Sequence, residues 1–206
     1  IRESLTIKQR ILGDRHPEFL GAAVNLGAVL LMQGKSGEAE SFFRRALEGY
    51  RTTLGKDHPR TLGTTHNLAM TLENQGKYDE AEILHHRVLE ERRRTLGRSH
   101  PETLSSLSSL SELAKNQGDL NKAEQYSAQA LAGRRQKYGD GHPHTLASMS
   151  FHANLLRLLG KLDEAEKFAR EAADLLPKDA ALQTKVRALL DAIAVARKEK
   201  ALEKQV

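Results

Sequence analysis

Apolar and small residues recur along this chain in two alternating stripes, locked to a period of 42 residues. In one stripe, Leu62, Thr65, His66, Ala69 and Leu72 follow the 3.6-residue spacing of a half-buried helix. Ala81, Leu84, His85, Val88 and Leu89 form the second stripe, with Gly76 breaking the chain between them. The same phase carries Leu20, Leu62, Leu104 and Leu146, then Gly34, Gly76, Gly118 and Gly160. Ala39-Glu40, Ala81-Glu82, Ala123-Glu124 and Ala165-Glu166 complete the register. The spacing predicts helices near 17–33 and 38–53, repeated every 42 residues, with no strand.

Each pair of stripes is joined to the next by Leu-Gly-x-x-His-Pro, beginning at Leu12, Leu54 and Leu96, with Tyr138 replacing Leu in the fourth copy. Gly55 is free to close the helix before it in the left-handed conformation. His58 is biased to an extended shape by Pro59, and Pro59 suits the first turn of the next helix. Asp79 stands three residues before Glu82, as in a capping box. That box recurs at Asn121 to Glu124 and Asp163 to Glu166, and the first repeat carries Gly37 instead. The periodic Glu is therefore expected to cap a helix. Gly27, Ala69, Ser111 and Ala153 leave room for close helix–helix contact, as do Ala39, Ala81, Ala123 and Ala165.

Self-similarity at this period implies stacked units, none able to bury its apolar face alone. The boundaries read as follows: 1–11 ends a preceding truncated repeat, and the full repeats are 12–53, 54–95, 96–137 and 138–179. Ser4-Leu5 aligns with Ala46-Leu47, so the chain reads as a piece of a longer protein. Pro177 breaks the phase. Beyond it, 180–206 reads as a capping helix over 180–203 and a tail. Leu182, Val186, Leu189, Leu190 and Ile193 fall on one face of that helix, and Lys185, Arg187, Lys198 and Lys200 on the other.

Composition changes little. The 206 residues are 39% hydrophobic and 29% charged, with net charge +5 and no Cys or Trp. Without Cys, disulfides and thiolate metal sites are excluded. No apolar run approaches a membrane span or a signal-peptide core. The basic residues are mostly scattered rather than gathered into a nucleic-acid-binding stripe.

The residues that carry a family likeness are Asn67-Leu68-Ala69, Asn74-Gln75-Gly76-Lys77-Tyr78 and Leu54-Gly55-Lys56-Asp57-His58-Pro59. Across 1–179 the chain resembles tetratricopeptide (TPR) repeats, in the long form similar to those of kinesin light chains and of arrays in signalling NTPases. The resemblance implies an all-α fold: a right-handed α-solenoid of helix-turn-helix repeats with a C-terminal capping helix. It also implies a concave groove, lined by the first helix of each repeat, that holds an extended peptide. The family's Asn survives as Asn25 and Asn67 and becomes Ser109 and Phe151 later. His66, Met70, Asn154 and Arg157 are the groove's bulkier members. Gly21, Gly63, Ser105 and Ala147 replace the family's lysine, which implies a small, neutral, polar groove with salt-insensitive binding.

Nine histidines invite a metal reading. Helices pack about 8–10 Å apart, whereas nitrogens on one zinc each lie about 2.0–2.1 Å from it. The periodic histidines therefore cannot share an ion and are read as turn-and-packing residues. His85-His86 and His142-Pro143-His144 have no third ligand near them in sequence, so no metal site and no cofactor are expected. No nucleotide-binding loop or nucleophile elbow is present, and the serine-rich stretch 105–111 keeps helical Leu spacing. No catalysis is expected of this segment. Arg92, Arg93 and Arg94, with Arg44-Arg45 and Arg134-Arg135, read as a solvated convex face near helix C-termini.

The expected function is cytoplasmic protein–protein interaction, as a scaffold or adaptor or as a subunit of a larger complex. Its partner would be a protein or an extended peptide segment, not nucleic acid. The alternative is the regulatory array of a larger signalling NTPase whose catalytic domain lies upstream of Ile1.

Overall fold

The computed structural model describes residues 2–177 and 181–203, with side chains given for 6–202 of these. Ile1, residues 178–180, which include the first expected residue of the capping helix, and residues 204–206 lie outside the described residues. Ten α-helices and no strand occur among the described residues.

The chain forms two compact units, 1–97 and 98–206. The first holds α1 (Arg2–Leu12), α2 (Pro17–Met32), α3 (Ser36–Leu54), α4 (Pro59–Asn74) and α5 (Tyr78–Leu96). The second holds α6 (Pro101–Asn116), α7 (Leu120–Tyr138), α8 (Pro143–Leu158), α9 (Leu162–Leu175) and α10 (Ala181–Glu203).

The helix starts follow from the His-Pro pairs, and the histidine does more than turn the chain. His58 is extended (φ −64°, ψ 140°), Pro59 opens α4, and the His58 Nδ1 accepts a hydrogen bond from the Arg60 N–H at 3.1 Å. The same cap recurs at His16, His100 and His142. It satisfies one of the donors that a helix N-terminus leaves without a partner. Gly55 closes the preceding helix at φ 88° and ψ 168°, an extended left-handed conformation open to glycine and not the helical one expected.

The turn inside each repeat corrects the capping-box expectation. Gly76 takes φ +75°. Its N–H bonds to the Glu73 carbonyl, and the Lys77 N–H reaches back to Leu72, both at 2.9 Å. This is a Schellman closure, and Lys77 ends it while also serving as N-cap of α5, with no side-chain bond. The second helix thus starts at Tyr78, two residues before the box would allow, and Asp79 falls in its first turn. There its charge favours the helix dipole without capping it. Lys35 and Lys161 play the same double part. In α7 the cap is Asp119, which accepts from the Lys122 N–H at 3.0 Å, and not Asn121.

The periodic Glu is therefore not a cap. Glu40 on α3 accepts from Arg44 at 2.7 Å, Gln75 at 2.9 Å and Lys77 at 3.0 Å, tying one repeat to the turn of the next. Burial alone would raise its pKa, but these three donors outweigh it and hold the carboxyl at about 2. In the second unit Glu124 lies 4.0 Å from Lys161, and Glu166 reaches Arg197 on α10.

Small residues set the helix spacing. A Cβ on Gly27 would lie 2.9 Å from the Phe43 ring, so this glycine admits a fully buried aromatic between α2 and α3. At the other end, Leu176 is extended before Pro177, which stops α9 at Leu175. Val186 of α10 packs with Leu146, Met149 and Ala172, and Ile193 with Leu156, Ala165 and Ala169. Each such side chain contributes about 1.5–3 kcal/mol on burial. Lys185, Arg187, Lys198 and Lys200 face water.

Candidate functional site

In the first unit α1, α2 and α4 frame an open groove of about 820 Å³, into which α3 and α5 each send one long side chain. Asn25, His66 and Asn67 come together in its lining. Asn25 and Asn67 occupy equivalent positions on α2 and α4, and Gly21 and Gly63 keep the wall beside them low. Met70 projects to solvent, 40% exposed, and is not part of that lining.

The groove is not neutral. Arg92, only 5% exposed, lines it together with Arg60, Lys8 and Tyr50. The one carboxylate in the lining, Glu18, is bound to Lys8 at 3.0 Å. Arg92 was expected on the convex face because it sits in a run of arginines. The helical phase puts it elsewhere: Ala81, His85, Val88 and Arg92 form one stripe, and all four are buried. Tyr50 and Arg134 hold the equivalent positions in α3 and α7. The spacing that marked the core could therefore have found all three. Arg94 stays outside, paired with Asp57 at 2.7 Å and Glu91 at 2.9 Å.

Beneath the groove His66 and His85 meet edge to face, with ring centroids 5.5 Å apart. Burial first, then the charges of His85 and Arg92, pull the His66 pKa down to about 4. His66 is therefore neutral near pH 7, and the charge of the groove rests on its guanidinium and ammonium groups.

The second unit places its expected site residues differently. Phe151 lines a separate hollow of about 200 Å³, where α6, α7 and α8 meet. Ser109 is half-buried on α6 and is not part of that hollow. On α8 the Asn154 Oδ1 accepts from Arg157 Nε at 3.2 Å and Nη2 at 3.1 Å, so these two side chains hold each other.

A Ser–His–Glu alignment lies nearby. Ser127 Oγ is 2.7 Å from His152 Nδ1, and His152 Nε2 is 3.9 Å from Glu124. The Ser127 hydroxyl also lies 2.8 Å from the Glu124 carbonyl, which can only accept. Its proton is thus committed to the helix backbone, and His152 must donate from Nδ1. A nucleophile needs a base that accepts its proton, so this contact reads as core hydrogen bonding.

Among the described residues no group of three or more His, Asp or Glu side chains could hold a metal ion, and no helix is long and apolar enough to cross a membrane.

Paired helices closed by a glycine turn, repeated in phase, define a helical repeat protein. The TPR family profile matches residues 1–52, 18–82, 60–136 and 112–178, and the chain belongs to the tetratricopeptide repeat family. Among solved structures it is similar to a putative kinesin light chain from Podospora anserina with nearly identical TPR-like repeats. That similarity has TM-score 0.80 at 22% identity and covers 92% of each chain. It is also similar to BtubC (BKLC) from P. vanneervenii, with TM-score 0.80 at 19% identity over 96% of this chain and 81% of that one. At these identities the likeness concerns the fold. No curated protein sequence matches significantly.

Proposed function

We propose that this chain is a protein-interaction module whose first-unit groove holds an extended peptide segment rich in carboxylates. TPR repeats generally mediate protein–protein interaction. The groove chemistry narrows the partner. Asn25 and Asn67 each offer a donor and an acceptor, the pair that a peptide backbone needs. Arg60 and Arg92 line the same groove. Guanidinium groups favour carboxylates because two N–H groups can bind both oxygens.

The observation that carries this reading is the convergence of both asparagines with both arginines in one groove. On this reading binding weakens as salt rises, where the loss of the family lysines alone implied that it would not. The test is a panel of extended peptides graded from acidic to basic, titrated against the chain by fluorescence anisotropy. Acidic members should bind best, and a preference for basic or uncharged peptides would contradict the proposal.

A further inference from the structure

The hollow of the second unit has an origin that the repeat register reveals. In the first repeat this place is filled by the Phe43 ring lying on Gly27. In the second repeat His85, opposite Ala69, meets His66 there. The third repeat carries Ser127, Ser111 and Ser108 at the same three positions, and all three line the hollow. A cavity in a helical seam costs stability in proportion to its volume, and two neighbouring repeats show how this seam is otherwise filled.

The walls are chemically divided. Ser111 Oγ donates to the Ala123 carbonyl at 2.6 Å, and Ser108 Oγ to the Leu104 carbonyl at 3.3 Å. Carbonyls only accept, so both hydroxyls are left with lone pairs and no proton to offer. Glu112 stands with them on α6, one helical turn along, and makes this wall an acceptor surface. The Arg134 guanidinium of α7 also lines the hollow and donates to Ser148 Oγ. Among the described residues no carboxylate lies within ion-pair distance of Arg134, and no cation within that distance of Glu112. Phe151 supplies an apolar side. The volume is about 200 Å³, room for roughly six or seven non-hydrogen atoms at about 30 Å³ per water-sized group.

We propose that this hollow is a binding site for a small zwitterion, an α-amino acid with a short side chain. Its ammonium group meets the Glu112 carboxylate and the lone pairs of Ser108, while Ser111 backs that wall fully buried. Its carboxylate meets Arg134, and its side chain rests on Phe151. The site lies wholly in the second unit and does not depend on peptide binding by the first.

The test is isothermal titration calorimetry of the 206-residue chain with glycine, alanine, serine and valine, each at millimolar concentration. Acetate and ethylamine serve as half-ligands. At least one amino acid should bind with 1:1 stoichiometry and each half-ligand more weakly. Glu112→Gln and Arg134→Gln should each weaken that binding by roughly tenfold or more, the loss of one hydrogen bond to a charged group. The double variant Ser111→Gly with Ser127→Phe rebuilds the Gly27–Phe43 pair and should abolish binding while keeping the helical circular dichroism signal. The two single variants decide the matter if the double variant does not fold. Absence of heat with every amino acid would overturn the proposal, as would binding that survives both single variants.

Discussion

The Phe43 ring of α3 stands over Gly27 of α2, its Cε1 2.9 Å from where a Cβ on that glycine would project. Phe43 is fully buried and cannot swing aside. Gly27→Ala should therefore cost about 1–3 kcal/mol, the usual penalty for overpacking a filled seam. The second repeat pairs Ala69 with His85, so adding Phe43→His to Gly27→Ala should recover part of that loss. Urea unfolding of the two single variants and the double variant, read as a thermodynamic cycle, measures the coupling.

Glu40 predicts an acid limit for the first unit. Its folded pKa is depressed, from 4.5 to about 2. The stability it contributes is then fully present above about pH 4.5 and is lost as pH falls toward about 2. With Arg44 and Lys77 about half exposed, solvent screening limits the effect to the order of 1–2 kcal/mol. Glu40→Gln should lower stability at pH 7 and flatten its decline between these limits. A wild-type and a variant curve that stay parallel down to pH 2 would show that the clasp contributes nothing.

The histidine caps are worth a measurable amount each. His58→Ala removes the acceptor for the Arg60 N–H and should cost about 0.5–2 kcal/mol, whereas His58→Asn should recover most of it. Thermal melts of the two variants at neutral pH suffice. Equal losses in both would assign His58 to packing instead.

The last helix is tested by contrast between its two faces. Ile193 is almost fully buried against Leu156 and Ala169, whereas Val195 is 54% exposed. Ile193→Ala should destabilise the second unit by about 2–5 kcal/mol, while Val195→Ala should stay within about 0.5 kcal/mol. Similar effects from both would mean that α10 does not cover the repeat in solution.

Much of this architecture was legible from phase alone, because Pro, Gly and Leu at fixed intervals act locally and each names its own place in a helix. Val186 and Ile193 were assigned to the covering face of the last helix for the same reason, and they are buried there. The Asp79–Glu82 box failed because the Schellman closure at Gly76 is tight enough to make Lys77 both the end of one turn and the start of the next helix. Two helices so close need no separate capping residue. Arg92 adjoins Arg93 and Arg94 in sequence but does not share their face of the helix. Its distance of seven residues from His85, two helical turns, puts it on the buried stripe. Asn25, Asn67 and His66 were found because the family pattern marks the first helix of each repeat. The hollow beside Phe151 was not, since it arises from three serines on two helices and no single motif announces it.

The most direct test of the groove reading is the salt dependence of binding an acidic extended peptide, measured by anisotropy for wild type and three variants. The account predicts affinity that falls steadily as salt rises, with a shallower slope in Arg60→Glu and Arg92→Gln combined. Asn25→Ala with Asn67→Ala should weaken binding by about tenfold or more at every salt concentration. Arg93→Glu with Arg94→Glu should leave binding near wild type, because Arg94 is held by Asp57 and Glu91 outside the groove. Binding that ignores salt, the asparagines and the groove arginines, yet is lost on reversing Arg93 and Arg94, would contradict the account and move the working surface to the outer helices.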